Sequence, residues 1–272
     1  KSQGFEVDIA PVDEKGFVDV KALASLIRSD TTLVSIMAVN NEIGSIQPIQ
    51  AISELLADKP TISFHVDAVQ ALAKIPTEKY LTNRVDFATF SSHKFHGVRG
   101  VGFVYIKSGK KITPLLTGGG QEGDYRSTTE NVAGIAATAK ALRLAIEKLD
   151  LFTSKTGQMK SVIRQALLDY PDIFIFSDEK GFAPHILTFG IKGVRGEVIV
   201  HAFEDYDIFI STTSACSSKA GKPAGTLIAM GVDKDKAQSA VRLSLDLEND
   251  MSQVEQFLTK LKLIYNQTRK VR

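Results

Sequence analysis

The run Val85-Asp86-Phe87-Ala88-Thr89-Phe90-Ser91-Ser92-His93-Lys94 passes from a short apolar stretch into a cluster of chemically capable side chains. Residues 85–90 have the length and bulk of a buried strand. Lysine prefers exposure, so the amine of Lys94, just beyond that strand, is either an ordinary loop charge or a functional group at a sheet edge. Two earlier stretches repeat the arrangement: residues 62–66 run into Asp67-Ala68-Val69-Gln70, and residues 32–39 into Asn40-Asn41-Glu42-Ile43-Gly44. Helical periodicity over residues 19–28 and 49–57 separates these strands, and residues 102–106 add another apolar run. Apolar strands alternating with helices predict an α/β fold with a mostly parallel sheet covered on both faces, and ligands gather at the C-terminal ends of such strands. Turn geometry alone would place Gly, Pro, Asn and Asp in these loops. It does not predict Lys94, His93, Gln70 and Asp67 converging on one edge.

Further along, Gly118-Gly119-Gly120 precedes Glu122 and Arg126-Ser127-Thr128-Thr129, and residues 131–149 read as one long helix. The pattern then changes. Helices at 160–168, 197–204 and 252–265 alternate with strands at 173–176 and 185–189, the signature of a smaller α+β unit. The expected organisation is a large domain over residues 1–148 and a small domain over residues 149–272. Residues 4–9 alternate like a strand and the chain opens without methionine, so its beginning reads as the interior of a domain.

Composition narrows the function classes. With 43% hydrophobic and 24% charged residues the chain is able to bury a real core, and a net charge of +2 gives no basic field for direct nucleic-acid binding. The apolar runs are too short for a membrane span. A single cysteine, Cys216, rules out an intrachain disulfide and a cysteine-rich metal site. Together with the absence of a secretory leader this favours the cytoplasm. Most lone cysteines are small buried hydrophobes, but Cys216 sits in Ser214-Ala215-Cys216-Ser217-Ser218-Lys219-Ala220-Gly221-Lys222, where little would anchor it and two lysines favour the thiolate. His185 and His201 read as structural, His65 as a packed neighbour in its strand, and no set of side chains has metal-ligand spacing.

A lysine in a cleft forms Schiff bases, and a pyridoxal-phosphate (PLP) ring needs a carboxylate on its pyridine nitrogen to act as an electron sink. Lys94 and Asp67 supply that pair, although Asp67 also suits a helix N-cap. Gln70 and Asn41 can reach the cofactor's oxygen, with a turn residue as the plainer reading of Asn41. Ser91 and His93 can donate to a phosphate.

These runs, with Gly118-Gly119-Gly120-Gln121-Glu122, Arg126-Ser127-Thr128-Thr129-Glu130-Asn131, Ser214-Ala215-Cys216-Ser217-Ser218 and Val241-Arg242-Leu243-Ser244-Leu245, resemble in order the NifS/IscS-like cysteine desulfurases of the class V aminotransferase superfamily. The resemblance implies a type I PLP fold and removal of sulfur from L-cysteine, giving L-alanine and a persulfide on Cys216. Lys94 would be the cofactor lysine, Asp67 the pyridine partner, and Asn41 and Gln70 contacts to the cofactor oxygen or substrate. Ser91 and His93 would hold the phosphate. Thr129 would reach the phosphate of a neighbouring subunit, implying a homodimer, and Arg242 would clamp the substrate carboxylate. The sulfur would pass to an acceptor protein, an iron–sulfur scaffold or a tRNA-thiolation enzyme. A selenocysteine lyase, a sulfinate desulfinase, an aminotransferase or a non-catalytic docking module for sulfur acceptors are the alternatives. The match departs from the family at Thr128 and Asp246, where glycine is usual, and at Val98-Arg99, where Pro-Lys is usual. The family's ring-stacking histidine and first phosphate-binding helix have no counterpart here.

Overall fold

The computed structural model describes residues 4–213 and 225–270, and its contacts divide the chain into two compact units. One unit comprises Asp30–Ala38 and Ile49–Leu149. Its sheet has the order β1 (Leu33–Met37), β2 (Ser63–Asp67), β3 (Phe87–Ser91), β4 (Gly102–Ile106). The first three strands are parallel and β4 pairs with β3 antiparallel at the edge. Phe64, Val66, Ala88 and Phe90 fill one face, while His65, Asp67, Thr89 and Ser91 lie half-buried on the other. That alternation follows from the period of two along each strand. Asp86 and Arg84 lock the start of β3. Arg84 donates to the carbonyls of Leu56, Lys59 and Ile62 and pairs with Asp86 at 2.7 Å, while Asp86 also accepts from the Phe64 amide at 2.9 Å. The long helix of this unit, Val132–Glu147, is capped by Asn131, whose side chain accepts from the Gly134 amide.

The other unit comprises Lys1–Ser29, Val39–Pro48 and Asp150–Arg272. Its helix α1 (Val20–Leu26) starts at an Asp19 N-cap that accepts from Lys21 and Ala22. Its sheet has the order β5 (Ile173–Ile175), β6 (Ile186–Ile191), β8 (Ala240–Ser244), β7 (Ser211–Thr212), antiparallel throughout. The core packs this sheet against the helices Leu149–Leu167, Gly196–Glu204 and Met251–Lys270 through Met159, Ile163, Phe189, Phe203 and Phe257. The rings of Phe203 and Phe257 stack 4.9 Å apart, and burying each such side chain stabilises the unit by about 1.5–3 kcal/mol.

Two expectations change. Residues 4–9 form no strand: Phe5, Val7 and Ile9 are exposed, so their alternation meets no paired neighbour among the described residues. The helix expected over 160–168 begins much earlier, at Leu149. Burial of Phe152, Thr156, Met159, Ile163 and Leu167 on one stripe stabilises this polar stretch, overriding its serines, threonines and Gly157. Among the described residues no helix is long and apolar enough to cross a membrane.

Candidate functional site

The parallel register sets one edge of the first unit. Asp67, the last residue of β2, is the Cα partner of Thr89 on β3, and Ser91 lies one step further along the same face. The Asp67 carboxylate accepts from the Val69 amide at 3.0 Å, the local turn that aspartate favours. It caps that turn rather than a helix, and it makes no ion pair among the described residues.

Directly after β3 the chain makes a tight 3₁₀ turn, Ser92–Phe95. Residues three apart eclipse in such a turn, and here Ser92 and Phe95 are both buried, at 0% and 2% exposure. The Ser92 hydroxyl is held at 2.8 Å by Thr138, whose own hydroxyl donates back to the Gly134 carbonyl. His93 and Lys94, on the opposite side of the turn, point away from this core: His93 is exposed and Lys94 half-buried. The turn closes through a left-handed His96 and the Gly97 amide, which donates to the Ser92 carbonyl at 3.0 Å. A Cβ at Gly97 would lie 1.9 Å from the Ser92 hydroxyl, so this position requires glycine. The lysine is therefore presented by a fixed turn.

The side chains of Gln70, Ser91, His93 and Lys94 take no hydrogen-bond or ion-pair partner among the described residues. Polar groups gathered at one sheet edge and left open to an outside partner are the composition of a binding site. An amine, a carboxylate, an amide, a hydroxyl and an imidazole match the aldehyde, pyridine nitrogen, phenolic oxygen and phosphate of PLP, so these residues fit the cofactor.

Reasoning from sequence alone missed how His65 is held. Its ring bridges the sheet, with Nδ1 2.8 Å from Ser35 and Nε2 3.1 Å from Thr89, two residues before Asp67 on the same face. Burial lowers its pKa, and the nearby Asp67 carboxylate partly restores it. A polar residue alternating with Ser63 and Asp67 along β2 was the available signal.

In the second unit Arg242, on β8, donates from Nη1 to the Asn41 carbonyl at 2.9 Å. Asn41 itself is exposed. The fold thus joins two of the expected site residues that lie far apart in sequence. Thr129, in the first unit, is exposed. Cys216 lies outside the described residues. His185 is buried beside Phe152, with ring centroids 5.6 Å apart, and His201 is an exposed partner of Glu204.

Residues 1–257 match the family model described as aminotransferase class-V. A NifS/IcsS protein homolog of Lactobacillus delbrueckii subsp. bulgaricus is 51% identical over 98% of this chain and 70% of its own. Cysteine desulfurase IscS of Clostridium botulinum is 38% identical over 100% of this chain and 68% of its own. A solved NifS-like protein superposes with a TM-score of 0.88 at 36% identity, covering 97% of this chain and 69% of that one. The chain belongs to the class-V aminotransferase family.

Proposed function

We propose that this chain is the part of a PLP-dependent cysteine desulfurase that carries the cofactor lysine, the substrate-carboxylate arginine and the sulfur-accepting cysteine. One observation carries the reading. Lys94 and Asp67 stand at the C-terminal ends of adjacent parallel strands, each without an ion-pair partner among the described residues. Parallel α/β sheets bind ligands at that edge.

PLP is the cofactor of this family, and when bound it supplies an aldehyde for an amine and a ring that accepts electrons. The protein's own groups do the rest. Asp67 would keep a proton on the ring nitrogen, Gln70 would donate to the ring oxygen, and Ser91 and His93 would donate to the phosphate. The Lys94 amine would hold the aldehyde and, when free, would be the base for the substrate's Cα proton. Arg242 receives the carboxylate of L-cysteine through the forked face of its guanidinium, and the Asn41 amide adds a hydrogen bond. The Cys216 thiolate then attacks the substrate sulfur. A new S–S bond would form, the Cβ–S bond would break with its electron pair left on the substrate carbon, and proton uptake at Cβ together with return of the proton from Lys94 to Cα would yield L-alanine. The persulfide sulfur passes to an acceptor protein. Thr129 completes the phosphate site of a second copy, so the working form is a homodimer. The Ser, Gly and Lys composition around Cys216 suits a nucleophile that must serve both a buried substrate and an external acceptor.

The test is peptide mass spectrometry. With PLP and borohydride the fixed label is expected on Lys94; with PLP and L-cysteine, added sulfur is expected on Cys216. A Lys94→Ala chain should show neither. Labelling confined to another lysine, or sulfur gain that survives Lys94→Ala, refutes the assignment.

A further inference from the structure

Three donors of the second unit meet three successive carbonyls of one turn. Arg242 Nη1 donates to Asn41 at 2.9 Å, the Thr188 hydroxyl donates to Glu42, and the Ser177 hydroxyl donates to Ile43 at 2.6 Å. Thr188 on β6 is the Cα partner of Arg242 on β8. Directly opposed residues of neighbouring strands project from the same face, so these two side chains stand next to each other and reach consecutive carbonyls. Ser177, just beyond β5, is tied to Thr188 as well: its oxygen accepts from the Thr188 amide at 2.9 Å. Thr188 and Ser177 are 0% and 1% exposed. Valine would fill a buried strand position without a hydroxyl to desolvate, so packing alone does not account for the threonine.

The Asn41 carbonyl is a loop acceptor for a long side chain with many rotamers. Loops move more than the strands beneath them, and a guanidinium bonded to a moving carbonyl shares its motion. Bonds from Gly44 N to the Asn40 carbonyl and from Asn40 N to the Ser45 carbonyl shape the turn, and Ala183 N holds its base at the Gly44 carbonyl. The Ile43 side chain is buried with Phe182 and Ala240, a contact that keeps the turn down without fixing its direction. Thr188 and Ser177 add directional bonds on the two carbonyls directly after Asn41.

We propose that Thr188, braced by Ser177, is a positioning residue for Arg242: it fixes the turn whose Asn41 carbonyl holds the guanidinium, and so aims that guanidinium at the substrate carboxylate. The proposal rests on the reading of Arg242 as the substrate-carboxylate arginine. Its consequence is selective. Loosening the turn weakens the hold on a carboxylate and spares the hold on an amine, because the groups around Lys94 belong to the first unit and make none of these bonds.

The experiment uses the PLP-loaded chain and two amines that offer no sulfur, L-alanine and ethylamine, which differ only by the carboxylate. Their dissociation constants are read from the change in cofactor absorbance for wild type, Thr188→Val, Thr188→Ser, Ser177→Ala, Arg242→Lys and the double variant Thr188→Val with Arg242→Lys. Valine keeps the β-branched shape and removes one neutral hydrogen bond, so L-alanine should bind about fivefold more weakly. Ethylamine should bind within about twofold of wild type, and in the Arg242→Lys background the valine should add less than about twofold for L-alanine. Thr188→Ser should restore the L-alanine affinity. Ser177→Ala, which reaches the turn through a different bond, should show the same selectivity. An equal loss for both amines, an undiminished valine effect in the Arg242→Lys background, or a serine variant no better than the valine one overturns the proposal. If wild type prefers L-alanine, and Arg242→Lys abolishes that preference while Thr188→Val leaves it intact, this proposal alone fails. A wild type that binds the two amines equally, or binds neither, refutes the role given to Arg242 and the positioning role with it.

Discussion

Lys160→Met should remove a pH-dependent penalty on folding. Lys160 is 3% exposed on the helix Leu149–Leu167, where its ammonium donates to the Ala183 carbonyl at 2.9 Å and sits 5.6 Å from the Phe182 ring centre. Burial lowers its pKa from 10.5 to about 8; Arg164 pushes the same way, and Asp178 and Glu179 pull against it. A lysine depressed in the fold binds fewer protons there than in the unfolded chain between those two values. Stability therefore rises with pH across the window, and the penalty is fully present below about 8. A difference of 2.5 pH units, from 10.5 down to about 8, corresponds to about 3 kcal/mol. Integrated between pH 7.5 and pH 10, the wild type should regain about 2 kcal/mol that the methionine variant never lost. At pH 7.5 the variant escapes the charge penalty but leaves the Ala183 carbonyl without its donor, a loss of about 1–2 kcal/mol. It should therefore be more stable than wild type by about 1–2 kcal/mol at pH 7.5, and less stable at pH 10. Urea unfolding of both chains at the two pH values gives the double difference, in which the shared titrations cancel. A double difference near zero, or one in which the variant gains on wild type as pH rises, refutes the assignment of a buried, poorly solvated amine at residue 160.

The acid limb should depend on Asp86. It is 2% exposed; burial alone would raise its pKa, but the Phe64 amide, Arg84 and Lys110 outweigh burial and hold it low, so its contribution is present at neutral pH and fades as pH falls through the folded value. Asp86→Asn should cost about 3 kcal/mol at pH 7 by leaving the Arg84 charge uncompensated, and the acid unfolding curve should flatten; an unchanged urea midpoint contradicts this. Arg242→Lys should raise KM for L-cysteine roughly tenfold or more, because a single ammonium cannot hold the Asn41 carbonyl and fork a carboxylate together. Steady-state kinetics read this directly, and a lost kcat at unchanged KM would argue against a carboxylate role.

The placement of the candidate residues at the sheet edge was legible because it derives from period and position. A short apolar strand, whichever residue ends it, places the next side chains at the sheet edge, so the polar residues directly after each apolar run mark Asp67, Ser91, His93 and Lys94. The boundaries moved by a residue or two, drawing Asp67 into β2 and Ser91 into β3, because pairing continues to the last residue with a partner: Asp67 pairs in parallel with Met37 and Thr89, and Ser91 antiparallel with Gly102. Long-range bonding could not be read. Arg242 and Asn41 are 201 positions apart, and Thr226 and Glu42 are 184; no local pattern encodes such a pair. The early start of the helix Leu149–Leu167 was hidden for a related reason. Residues 153–158 are a run of polar side chains and glycine that interrupts the apolar pattern, and only the core that receives Phe152 and Thr156 selects helix there.

The two candidate elements share a design that bears on why they are placed where they are. In each, the backbone is pinned by buried contacts while the reactive side chains remain unspent. Ser92 and Phe95 anchor the lysine turn, and His93 and Lys94 make no internal bond among the described residues. The carbonyls of residues 40–45 anchor the other turn, and the exposed side chain of Asn41 makes no internal bond among the described residues. Leaving polar groups unpaired is tolerable only where solvent or a ligand satisfies them, which is why Lys94 stays half-buried whereas Lys160, buried outright, needs the Ala183 carbonyl. A cofactor that binds such an edge gains hydrogen bonds without breaking internal ones and meets groups whose backbone has little freedom left to lose, the condition under which binding energy is not consumed in ordering the site.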